Sequence, residues 1–271
     1  MSLDGWQTPV VGVLGGLGPA ATVTFLGQLV ELTDAHRDQD HVDAIVLQHG
    51  SVPDRTQAIL GAGPSPGPAL ARDARRLEQL GVDFIALPCN SAHAFKAEIV
   101  EGLEVEVISI VDITAEQAAR QAAARGRRRG RDGDGERGGA NVQASDGESG
   151  ARHTVALFAT EGTVAAGTYA RALEAAGATP WIPPAEMQAQ ITAIIYDQVK
   201  AGEPADVALL GELTDRALAA GAHVVLFGCT ELSVVYAEVP ELQARPEIVD
   251  SLRTLAIATI ERAGRRVRDS A

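Results

Sequence analysis

The chain has 271 residues, 46% of them hydrophobic and 22% charged, enough to bury a substantial core and to build two modest lobes. Its 36 acidic residues against 23 basic ones give a formal net charge of −13, which argues against nucleic acid or anionic lipid as a partner. No apolar run reaches bilayer length and residues 1–9 lack the pattern of a leader, so the expected compartment is the cytoplasm, where two cysteines stay free thiols and are too few to close a zinc site.

Residues 10–14 form an apolar run that ends in Gly15-Gly16-Leu17-Gly18-Pro19, and the chain then turns helical with Pro19 in the first turn. Residues 43–47 read as a second buried strand, 69–80 as a helix, 84–87 as a strand, 92–100 as a helix and 107–110 as a further strand. Strands that are apolar throughout, alternating with helices, indicate a parallel sheet covered on both faces. Residues 126–150 change to Arg, Gly, Asp, Glu and Ser with almost no large apolar side chain, a composition that cannot bury enough surface to order itself, and they read as a disordered insertion.

The pattern restarts at residues 154–158, followed by Ala159-Thr160-Glu161-Gly162-Thr163 and a helix over 166–176. The halves echo each other in spacing: Gly18 lies 71 positions before Cys89, and Gly162 lies 67 before Cys229. Internal duplication is the simplest account. The expected fold is therefore α/β, with two similar lobes related by a pseudo-twofold axis, each a mainly parallel sheet flanked by helices, and the site in the cleft between them.

Each cysteine ends an apolar strand and precedes small polar residues, in Phe84-Ile85-Ala86-Leu87-Pro88-Cys89-Asn90-Ser91-Ala92-His93 and in Val224-Val225-Leu226-Phe227-Gly228-Cys229-Thr230-Glu231-Leu232. Ligands of parallel α/β sheets bind at strand carboxyl ends, where the next helix offers free N–H groups and a positive dipole end, and a thiol there is expected below its reference pKa of about 8.5. A free cysteine is often only a small buried hydrophobe. Asn90 with Ser91, and Thr230 with Glu231, directly after the two cysteines, instead suit a pocket that orients a polar substrate. His93 lies four residues after Cys89, where it could assist the thiol or serve as a satisfied structural histidine.

Gly15-Gly16-Leu17-Gly18-Pro19, Pro53-Asp54-Arg55-Thr56, Pro88-Cys89-Asn90-Ser91-Ala92-His93, Ala159-Thr160-Glu161-Gly162-Thr163 and Gly228-Cys229-Thr230-Glu231-Leu232 together resemble the successive motifs of the aspartate/glutamate racemase family. Glu231, where the glutamate branch carries histidine, points to the aspartate branch. Ser91 stands where threonine is common, Gln48-His49-Gly50 departs from the usual pattern, and the 126–150 stretch is foreign to it. The resemblance implies a cofactor-independent isomerase that interconverts L and D forms of an acidic amino acid, with Cys89 and Cys229 as opposed acid/base thiols. It implies substrate contacts from Leu17, Arg55, Asn90, Ser91, Lys200 and Thr230, and a homodimer. It also implies a first lobe of residues 8–113 plus 241–271, with a C-terminal helix over 246–267 packing back on it, and a second lobe of residues 114–240.

The chemistry suits those residue types. Racemisation removes a proton from one face of Cα and returns one to the other, which two aligned thiols can do. Helix-start N–H groups can hold the carboxylate that gains charge, and the Arg55 guanidinium can grip a second carboxylate in a fork. The rival readings are a nicotinamide-dependent dehydrogenase using Gly16-Leu17-Gly18-Pro19-Ala20-Ala21 as a dinucleotide loop, a maleate isomerase-like enzyme, and a two-lobed small-molecule binding protein. The dehydrogenase reading lacks the acidic residue expected at the end of the second strand, where Gln48-His49 stands.

Overall fold

The computed structural model describes residue 6 and residues 8–133 and 153–269. The first half contains β1 (Val11–Gly15), α1 (Pro19–Leu32), β2 (Ala44–Gln48), α2 (Arg55–Ile59), α3 (Gly67–Gln79), β3 (Phe84–Ala86), α4 (Lys96–Val100), β4 (Glu106–Ile108) and α5 (Ile110–Gly133). The second contains β5 (Thr154–Phe158), α6 (Glu161–Ala166), α7 (Thr168–Ala175), β6 (Thr179–Trp181), α8 (Ala185–Ala193), α9 (Val207–Ala219), β7 (Val224–Phe227), α10 (Thr230–Glu238), α11 (Pro240–Gln243), β8 (Ile248–Asp250) and α12 (Ser251–Arg262).

The strands make two four-stranded sheets of matching topology, β2-β1-β3-β4 and β6-β5-β7-β8, with every pairing parallel. The expected doubled α/β architecture is therefore the observed one. The central strands β1, β3, β5 and β7 are buried along almost their whole length, and the two cysteines follow β3 and β7.

Side chains of period two divide the core into three parts. Val11, Val13, Phe84 and Ala86 of one sheet and Val155, Leu157, Val224 and Leu226 of the other join a shared cluster with α5, α7 and α12. The alternate residues pack on the far faces, Leu14, Ile85 and Leu87 in one cluster and Ala156, Phe158, Val225 and Phe227 in another. The two halves are thus held by a common apolar layer, and their strand carboxyl ends stay in fixed register.

α12 packs on α1 and α5, while β8, within the 241–271 expected for the first lobe, pairs with β7 of the second sheet. The expected C-terminal helix begins later than residue 246, because 248–250 form β8, an edge strand too short to announce itself. β2 is also an edge strand and only half buried, with Val46 41% exposed, rather than the covered strand its apolar run suggests. The expected helix over 92–100 divides into a 3₁₀ stretch, Ser91–Phe95, and α4, and the helix over 166–176 breaks at Gly167 with a left-handed backbone.

α5 continues to Gly133, so the first residues of the 126–150 stretch extend a helix instead of leaving it; the arginines there favour helix almost as well as alanine. Residues 134–150 of that stretch lie outside the described residues. The division expected at 113/114 falls within α5, which belongs to the shared core.

Candidate active site

One small cavity of about 10 Å³ is lined by Leu17, Arg55, Cys89, Asn90, Ser91, Lys200, Cys229 and Thr230, the eight residues expected from the sequence, together with Thr160, Thr163, Gly228 and Glu231. A larger cleft of about 470 Å³ beside α12 touches neither cysteine. Convergence of reactive groups, not volume, makes the small cavity the candidate site.

The glycine loop after β1 brings Leu17 into the cavity. Gly18 has φ of 113°, and a Cβ there would lie 3.0 Å from Glu231 Oε1 of the opposite half. The close approach that the glycine permits is thus to a carboxylate, which would repel a pyrophosphate at the same place; the dinucleotide reading loses its physical basis. Gly162 makes the matching approach from the second half, since a Cβ would sit 2.8 Å from the Thr56 backbone. Thr56 Oγ1 also donates to Thr160 Oγ1 at 3.4 Å, across the same seam.

Arg55 is the first residue of α2, whose N-cap Asp54 accepts from the Gln57 amide at 2.8 Å. Only 8% of Arg55 is exposed. Its guanidinium donates to the Leu17 carbonyl at 3.0 Å and the Pro53 carbonyl at 3.2 Å, while Nε has no partner. Burial opposes the charge, but negative charge at Cys89, Asp54 and Glu231 more than offsets it and raises the guanidinium above its ordinary pKa. Arg55 is therefore a fixed cation beside Cys89, held by carbonyls, with an N–H left for a ligand.

Cys89 is 3% exposed and its Sγ lies 3.6 Å from Ser91 Oγ. Asn90, expected to contact a substrate, has its side chain committed elsewhere. Its Nδ2 donates to Ser251 Oγ at 3.0 Å, and its Oδ1 accepts from the Tyr169 hydroxyl at 2.6 Å. The amide thus ties the loop after Cys89 to α7 and α12, and leaves the backbone of Asn90 for binding. His93 does not address the thiol: its Nδ1 meets the Cys89 carbonyl at 2.9 Å, and burial lowers its pKa. It supports the loop, as the structural alternative anticipated.

Around Cys229 the electrostatics reverse. The thiol, 4% exposed, donates to Glu231 Oε2 at 2.9 Å, and Glu231 Oε1 lies 3.6 Å from Lys200 Nζ. Lys200 ends a π-helical segment, Ile194–Val199, and its ammonium also sits 4.5 Å from the Tyr196 ring centre. The thiol is expected to be acidified by the start of α10, where Cys229 is the N-cap; instead it is pushed well above its ordinary pKa. Desolvation dominates, the neighbouring carboxylate adds to it, and Lys200 only partly compensates. Lys200 itself is raised: burial opposes its charge, but Glu231 and Cys229 outweigh it.

The residues to which sequence reasoning gave no place at the site are Thr160, Thr163, Gly228, Tyr169 and Ser251, and Glu231 was read as a polar pocket neighbour of Cys229 without a role of its own. Thr160 caps α6 by accepting from the Thr163 amide at 3.1 Å, a signal readable as Thr-x-x-Thr before a helix. Nothing local marks Tyr169 or Ser251, which reach Asn90 from 79 and 161 positions away. Among the described residues no group of three or more His, Cys, Asp or Glu could hold a metal ion, and no helix is long and apolar enough to cross a membrane.

The chain belongs to the Asp/Glu/hydantoin racemase family, whose model matches residues 14–130 and 140–259. It is similar to a solved aspartate racemase from Picrophilus torridus, at 27% identity and a TM-score of 0.73 over 96% of each chain. An aspartate racemase homologue from Pyrococcus horikoshii OT3 shares the fold at 19% identity, with a TM-score of 0.66 over 94% of this chain and 99% of that one. A broad specificity amino-acid racemase, RacX of Bacillus subtilis (strain 168), is 33% identical over 113 residues, 40% of this chain. That match spans about half the length of the curated relative, 48%.

Proposed function

We propose that this protein is a cofactor-independent amino-acid racemase that interconverts the L and D forms of an acidic amino acid, aspartate foremost, with Cys89 and Cys229 as its two acid/base groups. The observation that carries the reading is that both thiols line one cavity between the halves, one beside a guanidinium and the other hydrogen-bonded to a carboxylate.

In one direction Cys89, beside the Arg55 guanidinium, serves as the base and Cys229, hydrogen-bonded to Glu231, as the acid. The Cys89 thiolate removes the Cα proton: the C–H bond breaks, an S–H bond forms, and the electron pair moves into the substrate carboxylate. Cys229 then gives its proton to the opposite face of Cα and is left as a thiolate. The reverse direction exchanges the roles. Backbone N–H groups near Asn90, Ser91 and Thr230 stabilise the charge that builds on the carboxylate, and Arg55 supplies the cation for the substrate's second carboxylate.

Aspartate is favoured by Glu231 after Cys229-Thr230 and by the similarity to an aspartate racemase at 27% identity. Lys200 orients Glu231 and shares the cationic wall. The test is to incubate the protein with L- and D-aspartate, glutamate and a panel of neutral amino acids, the last because one relative has broad specificity. Racemisation of aspartate without added cofactor, resistant to chelators and abolished by iodoacetamide, is the expected result. Turnover only of neutral amino acids would contradict the substrate assignment, and no racemisation of any would overturn the activity.

A further inference from the structure

Gln48-His49-Gly50, the stretch that departs from the family pattern, takes no part in lining the cavity at the cysteines. It closes β2, an edge strand, and Gln48, Gly50 and Ser51 are exposed. His49 is tied down. Its side chain is 33% exposed, and its Nδ1 lies 2.5 Å from Oδ2 of Asp73, a residue of α3 whose side chain is 1% exposed. Asp73 also accepts from Arg76 at 2.7 Å through Oδ1, so the imidazole carries its hydrogen on Nδ1 and donates. α3 is anchored in turn by Leu70, Ala74 and Leu77 in the outer core of the first half.

The backbone of His49 is wedged against the glycine loop. Its amide donates to the Gly15 carbonyl at 3.1 Å, and a Cβ on Gly16 would fall 2.5 Å from the His49 nitrogen and 2.6 Å from its carbonyl carbon. Gly16, with φ of 93°, is what lets the two loops touch. Leu17, the next residue, gives its carbonyl to Arg55 at 3.0 Å, and Pro53, four residues beyond His49, gives the other at 3.2 Å. Both carbonyls that hold the guanidinium therefore belong to segments that meet at His49. We propose that His49 is a positioning residue: its bond to Asp73 fixes both loops and, through their carbonyls, the direction in which Arg55 presents its N–H groups. The inference rests on the reading of Arg55 as the grip on the substrate's second carboxylate. A buried carboxylate on a packed helix is a rigid support, and an exposed loop without it has none.

The experiment separates the hydrogen bond from the ring. His49→Asn keeps an N–H close to the position of Nδ1 and loses the ring; His49→Phe keeps a ring and loses the donor. Each variant and the wild type are assayed for aspartate racemisation and titrated calorimetrically with succinate, a dicarboxylate without an amino group. His49→Phe is expected to raise the KM for aspartate and the Kd for succinate together by about tenfold or more, toward the roughly 10²-fold that a misplacement of about 1 Å costs. Its kcat should stay near the wild-type value, because Arg55 grips ground state and transition state alike. His49→Asn should bring both constants back close to wild type, which a role for the ring in packing would not allow. Should His49→Phe fail to fold, as circular dichroism would show, His49→Ala carries the same prediction. Unchanged constants without the donor, or constants lost in His49→Asn and kept in His49→Phe, overturn the proposal. Wild-type protein that binds succinate without turning over aspartate sinks the racemase reading, and the titration alone then decides the role of His49. Wild-type protein that binds no succinate overturns the grip and this inference with it.

Discussion

The two cysteine loops begin from the same plan and end with opposite surroundings. Both follow a central, fully buried strand, and both thiols are nearly sealed from solvent. After Cys89 comes a 3₁₀ stretch, a guanidinium beside the sulfur and an asparagine pinned across the seam by Tyr169 and Ser251. After Cys229 comes an α-helix whose second residue, Glu231, takes the thiol's hydrogen bond and draws in Lys200. Doubling a fold thus duplicates position, while a few side chains set charge. Two equivalent strand ends place one sulfur beside a cation and the other beside a carboxylate.

The comparison breaks first at the thiols themselves. Cys89→Ala and Cys229→Ala should each reduce racemisation about 10²–10⁴-fold, the usual contribution of a positioned acid/base group, in an assay of either enantiomer. Comparable turnover in one of them would show that its half is only scaffold.

Asp250 tests the support behind Asn90. It is 4% exposed and caps α12 through Oδ1, next to Ser251, while burial raises its carboxyl to about 6 from 3.8. The folded state therefore holds a proton that the unfolded state releases between those values. Stability falls as pH rises from about 3.8 to about 6 and is flat above. Asp250→Asn keeps a cap-forming side chain, so thermal or urea unfolding at neutral pH should show a gain of about 2–3 kcal/mol that shrinks below pH 6. A loss at neutral pH would contradict the assignment of a strained carboxylate.

Tyr169→Phe removes the hydroxyl that holds Asn90 Oδ1. Tyr169 is fully buried and its phenol is kept neutral by burial, so the variant leaves an amide oxygen unsatisfied and should cost about 1–3 kcal/mol in unfolding experiments. Its effect on labelling should fall on Cys89 and spare Cys229. Glu231→Gln sharpens the other side: without the carboxylate the Cys229 thiol falls toward its ordinary pKa, and its iodoacetamide labelling at neutral pH should rise about tenfold or less. Unchanged labelling would mean that burial alone sets that thiol.

The sequence disclosed the framework because the framework is local. Apolar runs at residues 10–14, 84–87, 154–158 and 224–227 gave the four central strands, and each Gly-containing loop and cysteine falls at a strand end. The strands β6 and β8 escaped because three residues carry no period, and β6 includes Pro180 at a sheet edge. The eight residues proposed from the sequence line one cavity. The duties of Asn90 and Cys229 were not legible, because those are fixed by Tyr169, Ser251 and Glu231 through contacts that only the folded chain creates. A helix N-cap argument predicts an acidic Cys229; burial and one carboxylate reverse it.

The central claim is that two different sulfurs serve opposite faces of one carbon. Single-turnover conversion of L-aspartate in D₂O reads it directly. If a solvent-exchanged thiol on the far face supplies the proton, newly formed D-aspartate carries deuterium at Cα while unreacted L-aspartate retains protium. Product that retains the original proton, or substrate that exchanges as fast as product forms, would show a single base working on both faces and would contradict the account.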